Sequence, residues 1–245
     1  MRLRIGTWNL DRSEPGWRQP RQAAHIDKQA DVWLLTEVPS DWPHRDSKPS
    51  FSASRPNETH QRWAAITSTW KMDPIVAGHP SLAMARIDHR DGSFLAASSV
   101  FPWRGAVNFW PAGHGDTFGE LCAVTLIAHA AEILKACGDL PVVWGGDFNQ
   151  ALSGREHVGS RVGRRALQEA FRQLGLRVVT SEARGQDPHQ RSIDHIAVPM
   201  GWGSGKVEVQ RPQPDGRLRF LSDHPSYVVA VERSALPVGA VLSSS

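Results

Sequence analysis

The sequence predicts an α/β (α+β) protein in which helices cover β-sheets. Three observations support this class: predicted strands outnumber helices, apolar strands in both halves of the chain end in polar side chains, and no repeat or linker divides the sequence. A chain of 245 residues can bury one sizeable core. We therefore expect residues 1–233 to form a single domain, followed by a frayed tail over residues 234–245, which lacks periodicity and ends in serines.

Short segments with apolar alternation or a buried apolar run predict the strands. These segments are residues 3–10, 31–35, 63–67, 81–87, 93–101, 140–143, 177–180, 193–198 and 226–231. The Asp91-Gly92 pair between segments 81–87 and 93–101 is typical of a hairpin turn.

Apolar residues at helical spacing predict three helices, over residues 19–29, 118–136 and 164–174. Gly138 and Gly175 follow the last two and are typical of helix ends. Stretches rich in polar and turn-forming residues predict loops over residues 39–60, 102–116 and 181–190. A loop as long as 39–60 in a compact domain is often functional or mobile.

Composition excludes several classes of protein. Cys122 and Cys137 are too few for a disulfide framework, and no Cys/His cluster has zinc spacing. No apolar run resembles a signal sequence or is long enough to cross a bilayer, so we expect a cytoplasmic protein without membrane insertion. We also expect a monomer. A net charge of +3 permits a phosphate-bearing partner without requiring one.

The most informative motif is Trp144-Gly-Gly-Asp147-Phe-Asn149-Gln150, which follows the apolar run 140–143. Alternate residues of a strand point the same way, so Asp147 and Asn149 can leave the strand end on one face. Burying a carboxylate and an amide is costly unless a site uses them. The motif therefore predicts a functional site.

Other apolar strands also end in, or are interrupted by, residues of the types that can ligate hard cations or partner such ligands. These are Asn9, Glu37, Asp194, Asp223 and His224. One such residue alone is more often a cap or a turn residue, but the whole set is hard to explain that way.

The residue types suit the hydrolysis of phosphate esters. Carboxylates and amides without thiolates favour Mg²⁺ or Mn²⁺ over zinc. Such a cation polarises a phosphoryl oxygen and lowers the pKa of water. A histidine paired with a carboxylate can serve as acid or base.

The chain resembles the endonuclease/exonuclease/phosphatase superfamily, which includes DNase I-like nucleases, abasic-site endonucleases and inositol-phosphate phosphatases. The resemblance spans nearly the whole chain and lies in the segments Thr7-Trp8-Asn9-Leu10, Leu35-Thr36-Glu37, Gly146-Asp147-Phe148-Asn149, Ile193-Asp194-His195-Ile196 and Ser222-Asp223-His224-Pro225. It implies a DNase I-like four-layer sandwich of two packed mixed β-sheets flanked by helices. It also implies a divalent-metal-dependent phosphodiesterase or nuclease, with a small-molecule phosphomonoesterase as the alternative.

The resemblance implies a role for each matching residue. Asp147 would position or deprotonate the attacking water, and Asn149 would bind the phosphate and the nucleophile. His224 would contact the scissile phosphate or move a proton, with Asp194 orienting it. The metal ligands would be Glu37, Asn9 and Asp223.

One departure from the family's pattern concerns the proton for the leaving group. The family usually places a His or Tyr after the strand that precedes the long helix, where this chain has Val100 or Phe101. Neither can transfer a proton. Arg104 could instead supply charge to the phosphate, and His114 could enter from its loop. The alternatives are a surface salt bridge for Arg104 and a plain loop histidine for His114.

Neighbouring aromatic and imidazole side chains have a simpler interpretation. His195 follows Asp194 and by strand alternation should face the other way, which predicts a core histidine. Trp103 and Trp110 could stack on a base or ring, and packing explains them at least as well.

The sequence leaves the substrate open. Binding of nucleic acid requires a contiguous basic stripe beside the site. The candidate residues are Arg155, Arg161, Arg164 and Arg165. An ordinary solvated surface explains these arginines equally well. A small phosphoester requires a closed pocket, with residues 40–60 as a lid. A non-catalytic binding module is the alternative from another class, motivated by the missing His or Tyr. Against it, the retained carboxylates would repel one another without a metal.

Overall fold

The computed structural model describes residues 2–13, 16–42, 49–55, 58–106, 110, 117–154, 158–185, 189–213 and 220–233. The predictions for His114, for Arg155 and for the tail 234–245 fall outside these ranges, as do residues 43–48 and 56–57 of the predicted lid. No helix in the described part of the chain is long and apolar enough to span a bilayer.

Two mixed β-sheets form the centre of the molecule. The first sheet contains β1 (Arg2–Asn9), β2 (Val32–Pro39), β3 (Ser50–Phe51), β4 (Ser54–Arg55), β5 (Glu58–Ser68), β12 (Gly203–Ser204), β13 (Glu208–Gln210) and β14 (Ser226–Glu232). The second contains β6 (Met72–Ile75), β7 (Leu82–Ile87), β8 (Phe94–Val100), β9 (Val142–Asp147), β10 (Leu176–Val178) and β11 (Asp194–Pro199). Their orders are β12-β14-β1-β2-β5-β3 and β10-β11-β9-β8-β7-β6, with β13 beside β14 and β4 beside β5.

In the described part of the chain, three α-helices cover the outer faces of the sheets: α1 (Arg18–Gln29), α2 (Phe118–Cys137) and α3 (Arg161–Gln173). Ile26 of α1 packs with Trp33 on the outside of the first sheet. Ile133 of α2 and Phe171 of α3 pack with Trp144 on the outside of the second. A third cluster fills the space between the sheets and includes Ile5, Leu34, Val143 and Ile196. The layers confirm the predicted four-layer sandwich, in which each face of each sheet is buried.

The strand register brings the predicted site residues to one edge. In the parallel β1–β2 pair, Asn9 lies opposite Thr36, so Glu37 follows immediately. In the antiparallel β9–β11 pair, Asp147 lies opposite Asp194. Gly146 has φ +123°, and a Cβ there would lie 2.1 Å from the carbonyl oxygen of Ser99. Only glycine fits at that point, which explains why it directly precedes Asp147.

Most predicted elements are present, including the hairpin turn at Asp91-Gly92, which joins the antiparallel strands β7 and β8. Several boundaries were wrong. Helix α3 begins at Arg161 instead of residue 164, and β2 continues through Glu37 to Pro39. The predicted loop 39–60 contains β3, β4 and the start of β5. Strands β6, β12 and β13 were not predicted, because they are short and have little apolar alternation.

Burial in these layers holds several histidines in the neutral form. It lowers the pKa of His25, His79 and His195 to about 4. For His129, burial and then the neighbouring His79 hold the pKa well below its ordinary value. His129 Nε2 lies 2.8 Å from His79 Nδ1, and His129 Nδ1 lies 3.0 Å from Ser99 Oγ. These contacts let the imidazoles stay uncharged inside the protein.

We expect the free energy of unfolding to decrease as the pH falls from 6.5 towards 4. The unfolded chain binds protons on these histidines near pH 6.5. In the folded chain the pKa of His25, His79 and His195 is about 4, and that of His129 lies well below its ordinary value. The neutral histidines therefore contribute fully to the free energy of unfolding above pH 6.5. Below that pH, each histidine lowers this free energy by up to about 1.4 kcal/mol per pH unit. Urea unfolding at a series of pH values measures this slope. His129→Gln should reduce the slope of the unfolding free energy against pH, whereas His60→Gln, at an exposed position, should leave that slope unchanged. A free energy independent of pH between 7 and 5 would contradict the prediction.

Candidate active site

One edge of the sheets brings together Asn9, Asp147 and Asp194. Asn9 Nδ2 donates a hydrogen bond to Asp147 Oδ2 at 3.1 Å. Asp147 and Asp194 are cross-strand partners at the ends of β9 and β11. The three residues are 3%, 3% and 1% exposed. Polar groups this deeply buried are costly unless they serve a function or are fully paired.

Asn149 joins this cluster from the loop beyond β9. Asp147 Oδ1 accepts a hydrogen bond from the backbone N–H of Asn149 at 2.9 Å. The amide Nδ2 of Asn149 donates to the carbonyl oxygen of Phe101 at 3.0 Å. Asn149 has φ +50°, a left-handed conformation that Asn tolerates better than most residues. Its place beside Asp147 therefore comes from a turn and not from the strand alternation that the sequence predicts.

His224 and Asp194 form a close pair. His224 Nδ1 lies 2.7 Å from Asp194 Oδ2. Ser222 Oγ accepts from the His224 backbone N–H at 3.0 Å and donates to the Asn9 carbonyl oxygen at 2.6 Å. The loop before β14 is thus tied to the end of β1. Ligand atoms of Asp147, Asp194 and His224 all lie within 4.8 Å of one another.

Burial and charge set the protonation states of this group. Burial, with the negative charge of Asp194 as the next cause, raises the pKa of Asp147 to about 7. Burial acts to lower the pKa of His224, but the carboxylates around it, Asp194 first, raise it well above its ordinary value. The site therefore pairs two buried carboxylates with an imidazolium. The remaining negative charge calls for a proton or a cation.

Two more of the predicted residues lie at the rim of this group. Glu37 has φ +52° and a side chain that is 20% exposed, with Oε2 3.5 Å from Arg12 Nε. Its negative charge contributes to the raised pKa of Asp147, which places it near the buried cluster. Asp223 is 60% exposed, with Oδ1 3.9 Å from His224 Nε2. The structure therefore brings Glu37 and Asp223 to the same edge as the buried carboxylates.

Asp11 is an acidic residue of this edge that the sequence analysis missed. Its backbone N–H donates to Asn9 Oδ1 at 2.9 Å. Burial and then the negative charge of Asp223 raise its pKa, while a hydrogen bond from Arg18 acts in the other direction. The signal that could have found it is its position two residues after Asn9, in the turn that ends β1.

The residue types at this edge are those that hard divalent cations prefer, and among the described residues the carboxylate and imidazole atoms that converge within 4.8 Å are those of Asp147, Asp194 and His224. The partly exposed carboxylates of Asp11, Glu37 and Asp223 and the amide of Asn9 offer oxygen ligands without thiolates. The buried Oδ1 of Asp194 accepts no hydrogen bond from any described residue. An unpartnered buried carboxylate oxygen also favours a cation or a bound ligand nearby.

The backbone is strained at the same place. Among the described residues, every non-glycine residue with positive φ belongs to this edge; they are Asp11, Arg12, Glu37 and Asn149. Such conformations cost about 1–3 kcal/mol each and cluster at functional sites.

Comparison with known proteins supports the fold. No protein-family model and no curated protein matches the sequence. Solved structures do match. An endonuclease/exonuclease/phosphatase from Beutenbergia cavernae has a TM-score of 0.67 at 17% identity, over 97% of this chain and 73% of that one. The endonuclease domain of TRAS1, a telomere-specific non-LTR retrotransposon, has a TM-score of 0.61 at 16% identity, over 95% and 99%. TDP2 of D. rerio, complexed with a single-strand DNA product, has a TM-score of 0.63 at 11% identity, over 95% and 99%.

The chain has the endonuclease/exonuclease/phosphatase fold. The resemblance that the sequence motifs indicated is thereby confirmed at the level of the fold, although the identities are low.

Val100 and Phe101, which by the resemblance stand where the family usually has a His or Tyr, lie at the end of β8. Val100 lies opposite Asp147 in the parallel β8–β9 pair. The backbone N–H of Phe101 donates to the Asp147 carbonyl oxygen at 2.9 Å. Both side chains are buried, at 1% and 0% exposure, so they contribute packing beneath the site. Arg104 is exposed nearby, and its Nη2 donates to the Gly159 carbonyl oxygen at 3.3 Å.

The structure supports core roles for the remaining candidates. His195 is fully buried, with Nε2 2.8 Å from the Gln150 carbonyl oxygen, which confirms the predicted core histidine. The ring centroids of Trp103 and Trp110 lie 6.2 and 5.0 Å from that of Trp63. These indoles pack together, in agreement with the packing interpretation.

A small cleft adjoins the pair formed by Asp194 and His224. It has a volume of about 130 Å³ and is lined by Asp194, His224 and Asp223, and further by Gln190, Arg191 and Tyr227. Of the arginines proposed for nucleic-acid binding, Arg161 and Arg165 are exposed on α3. Arg164 donates from Nη1 to the Gly154 carbonyl oxygen at 2.9 Å.

Proposed function

We propose that this protein is a divalent-metal-dependent phosphoester hydrolase, most simply a phosphodiesterase or nuclease that uses an activated water. The observation that carries the proposal is the convergence of Asp147, Asp194 and His224, whose ligand atoms lie within 4.8 Å, from strands and loops far apart in the sequence. Structural neighbours with this fold include an endonuclease domain and TDP2 bound to a DNA product, which supports the same reaction class.

We propose that Asn9, Glu37 and Asp223, joined by Asp11, hold Mg²⁺ or Mn²⁺. When bound there, such a cation offsets the negative charge of the phosphate and lowers the pKa of water.

Asp147 is the proposed base. Burial, followed by the negative charge of Asp194, raises the pKa of Asp147, so its carboxylate is a stronger base than an exposed one and can take a proton from water. The hydrogen bonds from Asn9 Nδ2 and from the Asn149 backbone fix both of its oxygens in place. Asn149 is proposed to hold the phosphate beside it, because its amide lies on the same turn.

His224 is the proposed donor to the phosphate. Its Nδ1 is held by Asp194, and its side chain is 19% exposed, so the protonated ring can present Nε2 to a substrate. Because Val100 and Phe101 offer no proton, we assign protonation of the leaving oxygen to His224. Arg104, exposed at the loop that contacts Gly159, is proposed as an additional cation for the phosphate.

The size of the cleft favours an extended substrate over a small enclosed one. A volume of about 130 Å³ is well below the roughly 300–1,000 Å³ of pockets that enclose small molecules. We therefore propose a substrate that extends beyond this cleft, as a polymer does. Binding that weakens steeply with added salt would support nucleic acid, whereas salt-independent binding would support a small phosphoester.

The metal requirement is tested by assaying purified protein on phosphodiesters and phosphomonoesters. We expect turnover that EDTA abolishes and that Mg²⁺ or Mn²⁺ restores. Glu37→Gln should raise the metal concentration for half-maximal activity about tenfold or more, because a ligand is lost. Glu169→Gln, which removes an exposed carboxylate on α3, is the matched control.

Two outcomes would count against the proposal. Turnover insensitive to EDTA would exclude the metal. A folded protein that binds Mn²⁺ in calorimetry without hydrolysing any substrate would favour the non-catalytic binding module.

A further inference from the structure

Helix α2 differs from the other two helices because it is apolar on both faces. Its only charged residues are Glu120, Glu132 and Lys135. Its inner face, which includes Leu126 and Ile133, packs on the second sheet. A helix that is apolar all round is normally covered on both sides. The sequence of α2 therefore indicates that something covers its outer face.

The outer face of α2 carries an exposed apolar stripe. Val124, Ile127 and Leu134 are 38%, 69% and 57% exposed, and Ala131 between them is also exposed. These positions follow the alternating three- and four-residue spacing of a helix–helix seam. We call Val124, Ile127, Ala131 and Leu134 the outer stripe. Among the described residues, these side chains remain exposed to solvent, Ile127 most of all.

The apolar surface continues past the start of α2 onto α3. Val162 is 58% exposed, and a Cβ built at Gly119 would lie 3.3 Å from its Cβ. Val162 therefore extends the outer stripe at its N-terminal end, opposite Leu134 at the C-terminal end. Contiguous exposed apolar surface of this kind marks an interaction site.

We propose that the outer stripe binds a second copy of this chain, with the two α2 helices antiparallel about a two-fold axis between Ile127 and Ala128. Residues at equal distances on either side of that axis then face each other. Val124 of one copy meets Ala131 of its partner, so a larger side chain lies against a small one. Ile127 of each copy lies half a residue from the axis and opposite Ala128 of its partner, so the two Ile127 side chains are neighbours at the centre.

Charge complementarity selects a second copy over other occupants. With the same axis, Glu120 of one copy faces Lys135 of its partner, and the pair occurs twice by symmetry. Glu120 already receives a hydrogen bond from the Thr117 backbone N–H, which leaves its carboxylate at the helix surface. The same arrangement brings Leu134 of each copy towards Gly119 and Val162 of the other. The stripe is thus complementary to itself in shape, polarity and charge.

The proposed dimer leaves both active sites open. The outer stripe faces away from the second sheet, whereas Asp147 and Asp194 lie at the strand ends of that sheet. One helix pair is smaller than the roughly 1,600 Å² of a standard stable interface, so we expect a dissociation constant in the micromolar range.

Sedimentation velocity of the full chain over about 1–200 µM tests the proposal. We expect a monomer–dimer equilibrium for the wild type, and Ile127→Glu should raise the dissociation constant at least tenfold. Met200→Glu places the same charge at another exposed apolar residue, 55% exposed in the turn after β11, and should leave the equilibrium unchanged. Circular dichroism shows that each variant is folded.

Charge reversal tests the antiparallel register. Glu120→Lys and Lys135→Glu should each weaken self-association, because they place like charges opposite each other twice. A mixture of these two variants should associate again as a heterodimer, because every facing pair is then opposite in sign. A wild type that stays monomeric at 200 µM, or a dimer indifferent to Ile127→Glu, would overturn the proposal. Failure of the mixture to associate would overturn the two-fold arrangement.

Discussion

Asp147→Asn should lower kcat by roughly 10³-fold while the protein stays folded. Asparagine has nearly the same size and can still accept one of the two hydrogen bonds that Asp147 receives from Asn9 and Asn149. It cannot take a proton from water. The change also removes a carboxylate whose buried ionised form is unfavourable, so the Tm should not fall by more than a few degrees.

Steady-state kinetics on the best substrate of the panel, together with thermal unfolding, measures both effects. Asp139→Asn is the matched control, because Asp139 is exposed in the turn at the opposite end of the same strand. It should leave kcat unchanged. A variant at position 147 that keeps more than a tenth of the activity would show that another group serves as the base.

Asp194→Ala and His224→Ala should each lower kcat by on the order of 10²–10³-fold, and the double variant should be no slower than His224→Ala alone. The reason is the 2.7 Å contact between His224 Nδ1 and Asp194 Oδ2. If Asp194 acts by orienting and charging His224, it has nothing left to do once the imidazole is gone.

A double-mutant cycle on kcat measures this coupling. His89 and Asp91 provide a control pair, with Nδ1 3.7 Å from Oδ2 at the turn between β7 and β8. Replacing either should not change kcat. Fully additive effects at Asp194 and His224 would mean that the two residues act independently, which contradicts the proposed positioning role.

The buried strands and the residues at their ends could be predicted from the sequence. Apolar runs such as 31–35 and 193–198 require burial, and a polar residue that follows such a run must find a partner or a function. This reasoning located Asn9, Asp147 and Asp194 without the structure. It also predicted that His195, one residue further along the strand, faces the core.

Features that depend on turns or on distant contacts could not be predicted in this way. Asp11 reaches the site because the chain turns with positive φ after β1. Its position two residues after Asn9 is visible in the sequence, but the direction in which that turn points its side chain is not. The contact between His79 and His129 joins residues 50 positions apart. The exposed side of α2 became evident only when the structure showed which of its apolar faces packs on the sheet.

The positive φ angles of Asp11, Arg12, Glu37 and Asn149 have a consequence for engineering. Glycine would relieve the backbone strain at each of these positions. Selection for thermal stability alone would therefore favour glycine there, and the carboxylates and the amide that the proposed chemistry needs would be lost. A more robust version of this protein should therefore be sought in its outer helices and short edge strands, with the turns around Asp147 left as they are.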